Sequence, residues 1–174
     1  WRRNSRHGKQ NLMNPPAPRK RFGQNFLHDP SVIERILDSV APQADDHLVE
    51  IGPGQGAITV GLAGASGQLD VIEIDRDLAA LLSQKTWASK VGIHVTDALA
   101  FDFSTLSKSK RSLRVVGNLP YNISTPLLFH LIKQLELFKD MHVMLQKEVV
   151  SRMTAAPNSR IYGRLTVALA AHCS

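Results

Sequence analysis

The sequence predicts a doubly wound α/β fold, in which helices cover both faces of a mostly parallel sheet. Short apolar runs alternate with stretches of helical periodicity from residue 22 onward, and no internal repeat or long linker interrupts them. Strands that are separated by helices pair in parallel and are covered on both faces. Ligands of such folds bind beyond the carboxyl ends of the strands, so the loops that follow the strands are the expected site of function.

Individual elements follow from capping residues and apolar periodicity. Asp29 is placed to cap a helix that has Pro30 at its first position, and Pro42 ends that helix. Apolar runs predict strands at 47–51, 69–74, 93–96, 113–117 and 141–146. The helical pattern predicts further helices at 55–62, 76–87, 124–135 and 147–154.

Charge is distributed unevenly along the 174 residues. Residues 1–21 hold seven basic side chains and no acidic one, whereas the remainder holds 14 basic against 15 acidic side chains. We therefore expect a basic, flexible leader at 1–21 and one folded domain at 22–174. For residues 1–12 two interpretations remain open: a native arm that contacts phosphates, or a leader unrelated to function, with Met13 as the start.

The composition argues against several classes of protein. No apolar run approaches the roughly 20 residues that span a bilayer, so no membrane segment is expected. The single Cys173 cannot form an internal disulfide, and no cysteine and histidine residues have the spacing of a zinc site. We expect a cytoplasmic protein without a metal.

A glycine-rich turn follows the first predicted strand. Gly52, Gly54 and Gly56 let the backbone approach a ligand without a Cβ clash. The third glycine comes one residue too early for the dinucleotide fingerprint, and Pro53 removes an amide that would face a pyrophosphate. The turn suits a ligand end without phosphate, such as the methionine end of S-adenosylmethionine, although a purely structural turn has the same appearance.

Two acidic residues end the next two strands. Glu73 stands 21 positions after Gly52, where a carboxylate can accept both ribose hydroxyls of an adenosine cofactor. Asp97 can accept a hydrogen bond from an adenine amino group, or it can cap a turn. Asp75 is interpreted as the cap of the following helix.

The most specific pattern is Asn118-Leu119-Pro120-Tyr121, which resembles the Asn/Asp-x-Pro-Tyr/Phe signature of methyltransferases that act on exocyclic amino groups. An adenine amino nitrogen is a poor nucleophile until acceptors hold its N–H groups. The Asn118 side-chain oxygen and the Leu119 carbonyl can do so, with Pro120 fixing the turn. Tyr121 offers a face on which an extruded base stacks.

Together, residues 19–27, 49–54, 71–75, 117–126 and 145–149 resemble the KsgA family of small-subunit ribosomal RNA adenine-N6,N6-dimethyltransferases. The resemblance implies a Rossmann-like class I methyltransferase fold with S-adenosylmethionine as methyl donor. It also implies that the substrate is two adjacent adenosines near the 3′ end of 16S ribosomal RNA, within the immature small ribosomal subunit. We expect a monomer, and we expect the family's C-terminal helical domain to be absent from this chain.

The resemblance assigns a role to each candidate residue. Asn25 and Leu27 belong to the methionine and adenosine side of the cofactor, within a lid at 22–27. Gly52 and Gly54 form the glycine-rich turn. Glu73 binds the ribose, and Asp97 binds the adenine amino group. Asn118 contacts both the cofactor and the target nitrogen. Residues 162–165 are expected to face RNA or to pack.

Three other functions fit parts of the pattern. A related methyltransferase of large-subunit RNA would share the chemistry of Asn118 and Tyr121. A non-catalytic RNA-binding assembly factor would need the fold alone. A nicotinamide-dependent oxidoreductase is opposed by the glycine spacing and by Pro53.

Overall fold

The computed structural model describes residues 24–172, so the predicted leader at 1–21 lies outside the described residues. Its centre is a parallel sheet of five strands in the order β3-β2-β1-β4-β5. The strands are β1 His47–Ile51, β2 Gln68–Glu73, β3 Val91–Val95, β4 Leu113–Asn118 and β5 Phe138–Met144. The predicted α/β fold with a parallel sheet is confirmed.

Among residues 24–172 there are six α-helices, of which one precedes the first strand and the others connect or follow the strands. They are α1 Pro30–Val40, α2 Thr59–Ala65, α3 Arg76–Ser83, α4 Ser124–Ile132, α5 Lys147–Met153 and α6 Arg164–Ala170. The start of α1 is the predicted one, because the Asp29 carboxylate accepts a hydrogen bond of 2.9 Å from the Ser31 backbone N–H and Pro30 opens the helix. No helix within residues 24–172 is long and apolar enough to cross a membrane.

Both faces of the sheet are buried by helices. Leu48 and Val71 pack in one cluster with residues of α1, α2 and α3. Val49 and Ile72, their neighbours along the strands, pack in a second cluster with residues of α4. Since successive side chains of a strand point to opposite faces, the two clusters lie on opposite sides of the sheet, as the prediction of a doubly wound fold requires.

The structure corrects several predicted boundaries: α4 ends at Ile132 rather than at residue 135, and β5 spans Phe138–Met144 rather than 141–146. Two further corrections concern α2 and α3. The second helix was expected from residue 55 but begins at Thr59. The glycine-rich stretch forms tight turns with positive φ at its three glycines instead, and the Gly56 N–H donates to the Pro53 carbonyl at 2.9 Å. The third helix was expected to reach residue 87 but ends at Ser83.

Helix α6 is an element that the sequence pattern did not predict. Its Leu165 and Leu169 are buried against Leu128 of α4 and Val149 of α5. The Thr166 hydroxyl fixes the entry to the helix, because it accepts a hydrogen bond of 3.2 Å from the Gly163 backbone N–H. Residues 162–165 were expected to face RNA or to pack. Leu165 packs in the core, whereas Tyr162 is 41% exposed.

Strand order places the functional loops. Strand β1 lies between β2 and β4, and Ile51 at its end pairs with Ile72 on one side and Gly117 on the other. After β1 the chain adds β2 and β3 on one side of β1, and it then crosses to add β4 and β5 on the other side. The carboxyl end of β1 is therefore the switch point, where a crevice opens in such sheets.

Candidate functional site

A cavity of about 290 Å³ opens beyond the carboxyl ends of β1, β2, β3 and β4. The ten residues predicted from the sequence all lie in its lining: Asn25, Leu27, Gly52, Gly54, Glu73, Asp97, Asn118, Leu119, Pro120 and Tyr121. They come from five separate stretches of the chain that the sheet brings together. The structure therefore places the predicted site residues at one pocket, while their individual roles stay predictions.

The glycine-rich turn forms the floor of the pocket next to β1. Gly52 and Gly54 have φ angles of +68° and +58°, in the left-handed region that favours glycine. A Cβ atom on Gly54 would stand 3.2 Å from the Phe26 ring. Glycine at this position therefore lets the segment at 24–27 pack closely on the turn, and that segment forms one wall of the pocket. Residues 22 and 23 of the expected lid lie outside the described residues.

Glu73 is buried at the tip of β2 and is tied to the turn. Its Oε2 accepts a hydrogen bond of 3.3 Å from the Gly54 backbone N–H, and its Oε1 accepts one of 2.9 Å from the Asp75 N–H. Burial raises the pKa of Glu73, although these two hydrogen bonds act in the opposite direction. The carboxylate is thus held in one orientation at the place where the sequence predicts a ribose.

Asp75 has the structural role expected for it. Its Oδ1 accepts a hydrogen bond of 3.0 Å from the Asp77 backbone N–H and so caps α3. Its Oδ2 accepts one of 3.2 Å from the Gln24 side chain. The second contact anchors the start of the segment at 24–27 over the pocket.

Asp97 caps a turn, which is one of the two roles that the sequence left open, and the contact with adenine stays a prediction. Its Oδ1 accepts a hydrogen bond of 2.9 Å from the Leu99 backbone N–H, which is the bond of a turn cap. The residue also lines the pocket, as a residue that binds adenine would. Capping fixes the carboxylate at the pocket wall, so the two roles are compatible.

The Asn118 turn is held from both sides. The Asn118 side-chain amide donates a hydrogen bond of 3.0 Å to the Asn25 carbonyl, and the Leu119 backbone N–H donates one of 3.1 Å to the Met144 carbonyl of β5. Because the amide nitrogen of Asn118 faces Asn25, its oxygen is directed elsewhere. Tyr121 is 47% exposed at the rim, where a ring face is accessible for stacking.

Glu50 also lines the pocket, although it is not among the site residues predicted from the sequence. Its side chain is buried within β1, and its Oε2 atom has no hydrogen-bond partner among the described residues. Burial raises the pKa of Glu50 to about 7, against a smaller opposing effect of the Thr59 hydroxyl. The signal was the single acid in the strand sequence His-Leu-Val-Glu-Ile, an unusual position for a charge.

The pocket has a clear electrostatic character. Three carboxylates line it, those of Glu50, Glu73 and Asp97, and no lysine, arginine or histidine does so among the described residues. A pyrophosphate would be repelled by such a lining, whereas a positively charged ligand would be attracted. Between residues 24 and 172, no group of three or more histidine, cysteine or acidic side chains could hold a metal ion.

A family model described as ribosomal RNA adenine dimethylase matches residues 17–174. The ribosomal RNA small subunit methyltransferase A of Pseudomonas fluorescens is 56% identical over 156 residues, which cover 89% of this chain and 58% of that protein. The protein of the same name from Nitrosococcus oceani is 56% identical, with coverage of 89% and 59%. The chain thus spans less than two thirds of the length of these relatives.

Solved structures give a similar result. A dimethyladenosine transferase from Plasmodium falciparum is 28% identical with a TM-score of 0.73, and the match covers 84% of this chain and 52% of that one. The 23S ribosomal RNA methyltransferase ErmE is 26% identical with a TM-score of 0.63, and the match covers 75% and 51%.

Proposed function

The chain belongs to the ribosomal RNA adenine dimethylase family, and on this premise we propose that its pocket binds S-adenosylmethionine and methylates ribosomal RNA. The proposed products are the N6,N6-dimethylated forms of two adjacent adenosines near the 3′ end of 16S ribosomal RNA. The observation that carries the proposal is an acid-lined pocket that ends at an Asn-Leu-Pro-Tyr turn. A positively charged adenosine derivative fits the first feature, and an extruded adenine fits the second.

Each wall of the pocket has a proposed contact with the cofactor. Glu73 accepts the ribose hydroxyls, since its two oxygens are already fixed at the tip of β2. Asp97 accepts from the adenine amino group. Gly52 and Gly54 allow the methionine end to approach the backbone, and Asn25 and Leu27 close over it.

The Asn118 turn is proposed to hold the target base. The Asn118 side-chain oxygen and the Leu119 carbonyl accept the two N–H groups of the adenine amino group, and this raises electron density on the nitrogen. Pro120 keeps the turn rigid, and the exposed ring of Tyr121 stacks on the base. When bound, S-adenosylmethionine would supply an electrophilic methyl group and leave as a neutral thioether, and for each methyl group gained the nitrogen would lose one proton to solvent. Positioning of the two reactants then accounts for most of the acceleration.

The partners and setting are proposed from the same premise. The substrate is 16S ribosomal RNA within the immature small subunit, and the protein acts in the cytoplasm as a monomer. Residues 22–174 form the cofactor-binding domain, and the basic residues within 1–21 supply non-specific phosphate contacts.

Transfer of a labelled methyl group tests this proposal. Small-subunit particles that lack the two dimethylated adenosines should accept label from S-adenosylmethionine, whereas free 23S ribosomal RNA should not. Label on 23S RNA alone would favour the large-subunit alternative, and retained cofactor binding without transfer to either RNA would favour the non-catalytic one.

Two variants of one residue show whether the transfer uses the proposed turn. Asn118→Ala removes an acceptor oxygen and should lower transfer about 100-fold or more. Asn118→Asp keeps an acceptor at the same place and should retain more activity than the alanine variant. Full activity of Asn118→Ala would remove that residue from the mechanism.

A further inference from the structure

The segment at 24–27 connects the cofactor side of the pocket to the Asn118 turn through hydrogen bonds of its first two residues. The Gln24 side-chain amide donates one of 3.2 Å to the Asp75 carboxylate, just beyond the tip of β2. The Asn25 backbone carbonyl accepts one of 3.0 Å from the Asn118 side-chain amide, at the end of β4. The position of this segment therefore bears on the turn that is proposed to hold the target base.

Asp75 is a fixed point to which the segment is tied. The residue is 1% exposed, and its Oδ1 accepts a hydrogen bond of 3.0 Å from the Asp77 N–H. Its own backbone N–H donates one of 2.9 Å to Oε1 of Glu73, the proposed ribose contact. Since a carboxylate oxygen only accepts, the Gln24 side chain has to meet it with the amide nitrogen. The start of the segment is thus held against a rigid part of the pocket.

The other hydrogen bond selects the orientation of the Asn118 side chain. A backbone carbonyl can only accept, so the atom of Asn118 that faces Asn25 has to be the amide nitrogen. Rotation of the amide group by 180° would bring its oxygen against the Asn25 carbonyl, and the two acceptors would repel each other. The observed orientation turns the oxygen away from Asn25, so that it can accept an adenine N–H group. If the Asn25 carbonyl moved away, both orientations would be populated.

We propose that Gln24 is a positioning residue for methyl transfer, which acts through the Asn25 carbonyl on the orientation of Asn118. This inference rests on the proposed function, since it adds a residue to the machinery of the same reaction. The middle of the segment has its own anchor, because the Phe26 ring packs closely on Gly54. Loss of the Gln24 hydrogen bond should therefore loosen Asn25 and lower the rate, while the pocket keeps its shape.

Carboxylate and amide groups can be exchanged between Gln24 and Asp75 to test their hydrogen bond. Gln24→Glu sets two carboxylates against each other, so methyl transfer at saturating cofactor should fall about tenfold. Adding Asp75→Asn should restore most of the rate, because the new amide at position 75 can donate to the new carboxylate and still cap α3 with its oxygen. The control is Gln68→Ala, which removes a similar hydrogen bond of 3.3 Å to Asp70 outside the pocket lining and should leave the rate unchanged.

A second background separates a role through Asn118 from an effect on the cofactor or on the fold. Asn118→Asp has two equivalent acceptor oxygens, so the Asn25 carbonyl has no orientation to select. In this background Gln24→Glu should lower transfer less than about twofold, against about tenfold in the wild-type chain. By calorimetry, the Kd for S-adenosylhomocysteine should rise less than the rate falls, because the hydrogen bonds that hold Glu73 stay in place.

The orientation of Asn118 can also be observed without the reaction. Its side-chain NH2 signal in nitrogen-15 NMR, identified by its absence from Asn118→Asp, should exchange with solvent about tenfold faster in Gln24→Glu than in the wild-type chain. The same exchange rate in both chains, or an equal loss of transfer in both backgrounds, would overturn the role of Gln24. Absence of transfer to any RNA by the wild-type chain, with the difference in exchange still present, would instead overturn the proposed function.

Discussion

Replacing Glu50 with glutamine tests how much unfolding free energy the chain loses when this buried carboxyl group ionises. Burial raises its pKa from the ordinary value of 4.5 to about 7. The folded state therefore favours the protonated form. That contribution to stability is complete below pH 4.5 and is lost as the pH rises through 7. Through this group the wild-type chain should lose roughly 2–3 kcal/mol of unfolding free energy between pH 5 and pH 8.

Urea denaturation at the two pH values measures this loss. Glutamine has the shape of the protonated carboxyl and cannot ionise, so the unfolding free energy of Glu50→Gln relative to wild type should rise by roughly 2–3 kcal/mol from pH 5 to pH 8. Glu136→Gln is the control, because that side chain is 67% exposed beside Lys110. Its effect should stay below about 0.5 kcal/mol. If the unfolding free energies of Glu50→Gln and wild type differ by the same amount at pH 5 and pH 8, the reasoning is refuted.

Three further predictions, the first with a control variant, test the sheet and other residues of the site. Gly117→Ala would bring a Cβ atom within 2.6 Å of the Ile51 carbonyl oxygen and should lower the unfolding free energy by about 1–3 kcal/mol in urea. Gly64→Ala in α2, with no atom within 4 Å, should instead raise it by roughly 0.5–1 kcal/mol. Glu73→Ala removes two proposed acceptors and should weaken S-adenosylhomocysteine binding roughly 100-fold or more by calorimetry, with unchanged affinity removing Glu73 from the ribose site. Tyr121→Ala should lower methyl transfer to RNA roughly 5- to 150-fold while the Kd for S-adenosylhomocysteine stays the same, and an equal loss of both would indicate that the ring supports the pocket instead.

The order of strands and helices could be predicted from the sequence because each signal is local. Asp29 and Pro30 mark the start of α1 by capping, and the apolar run at 47–51 is too short and too rich in branched residues for a helix. The location of the pocket also followed, because parallel strands present their carboxyl ends at one edge. These inferences needed the periodicity of single segments and a general rule of topology.

The features that the sequence did not predict depend on contacts between distant segments. The helical pattern extended α2 back to residue 55, but Gly56 has a positive φ angle that an α-helix does not contain, so the helix begins only at Thr59. Helix α6 is only seven residues long and is held mainly by the buried leucines of its inner face. A short helix has little intrinsic stability, so its pattern alone is a weak signal.

Buried charges are paired at one end of the sheet and lack a cation at the other among the described residues, and this contrast supports the proposed site at the carboxyl ends. At the amino ends of the strands, Arg114 is buried but paired, with hydrogen bonds to Asp46 and, at 2.9 Å, to Asp140. At the carboxyl ends, Glu50 and Glu73 are buried on neighbouring strands with no cation between them among the described residues. At the amino ends, the buried charges are therefore compensated by ion pairs within the protein. The unpaired carboxylates at the second end cost stability in the free protein, and binding of a positively charged ligand would offset that cost.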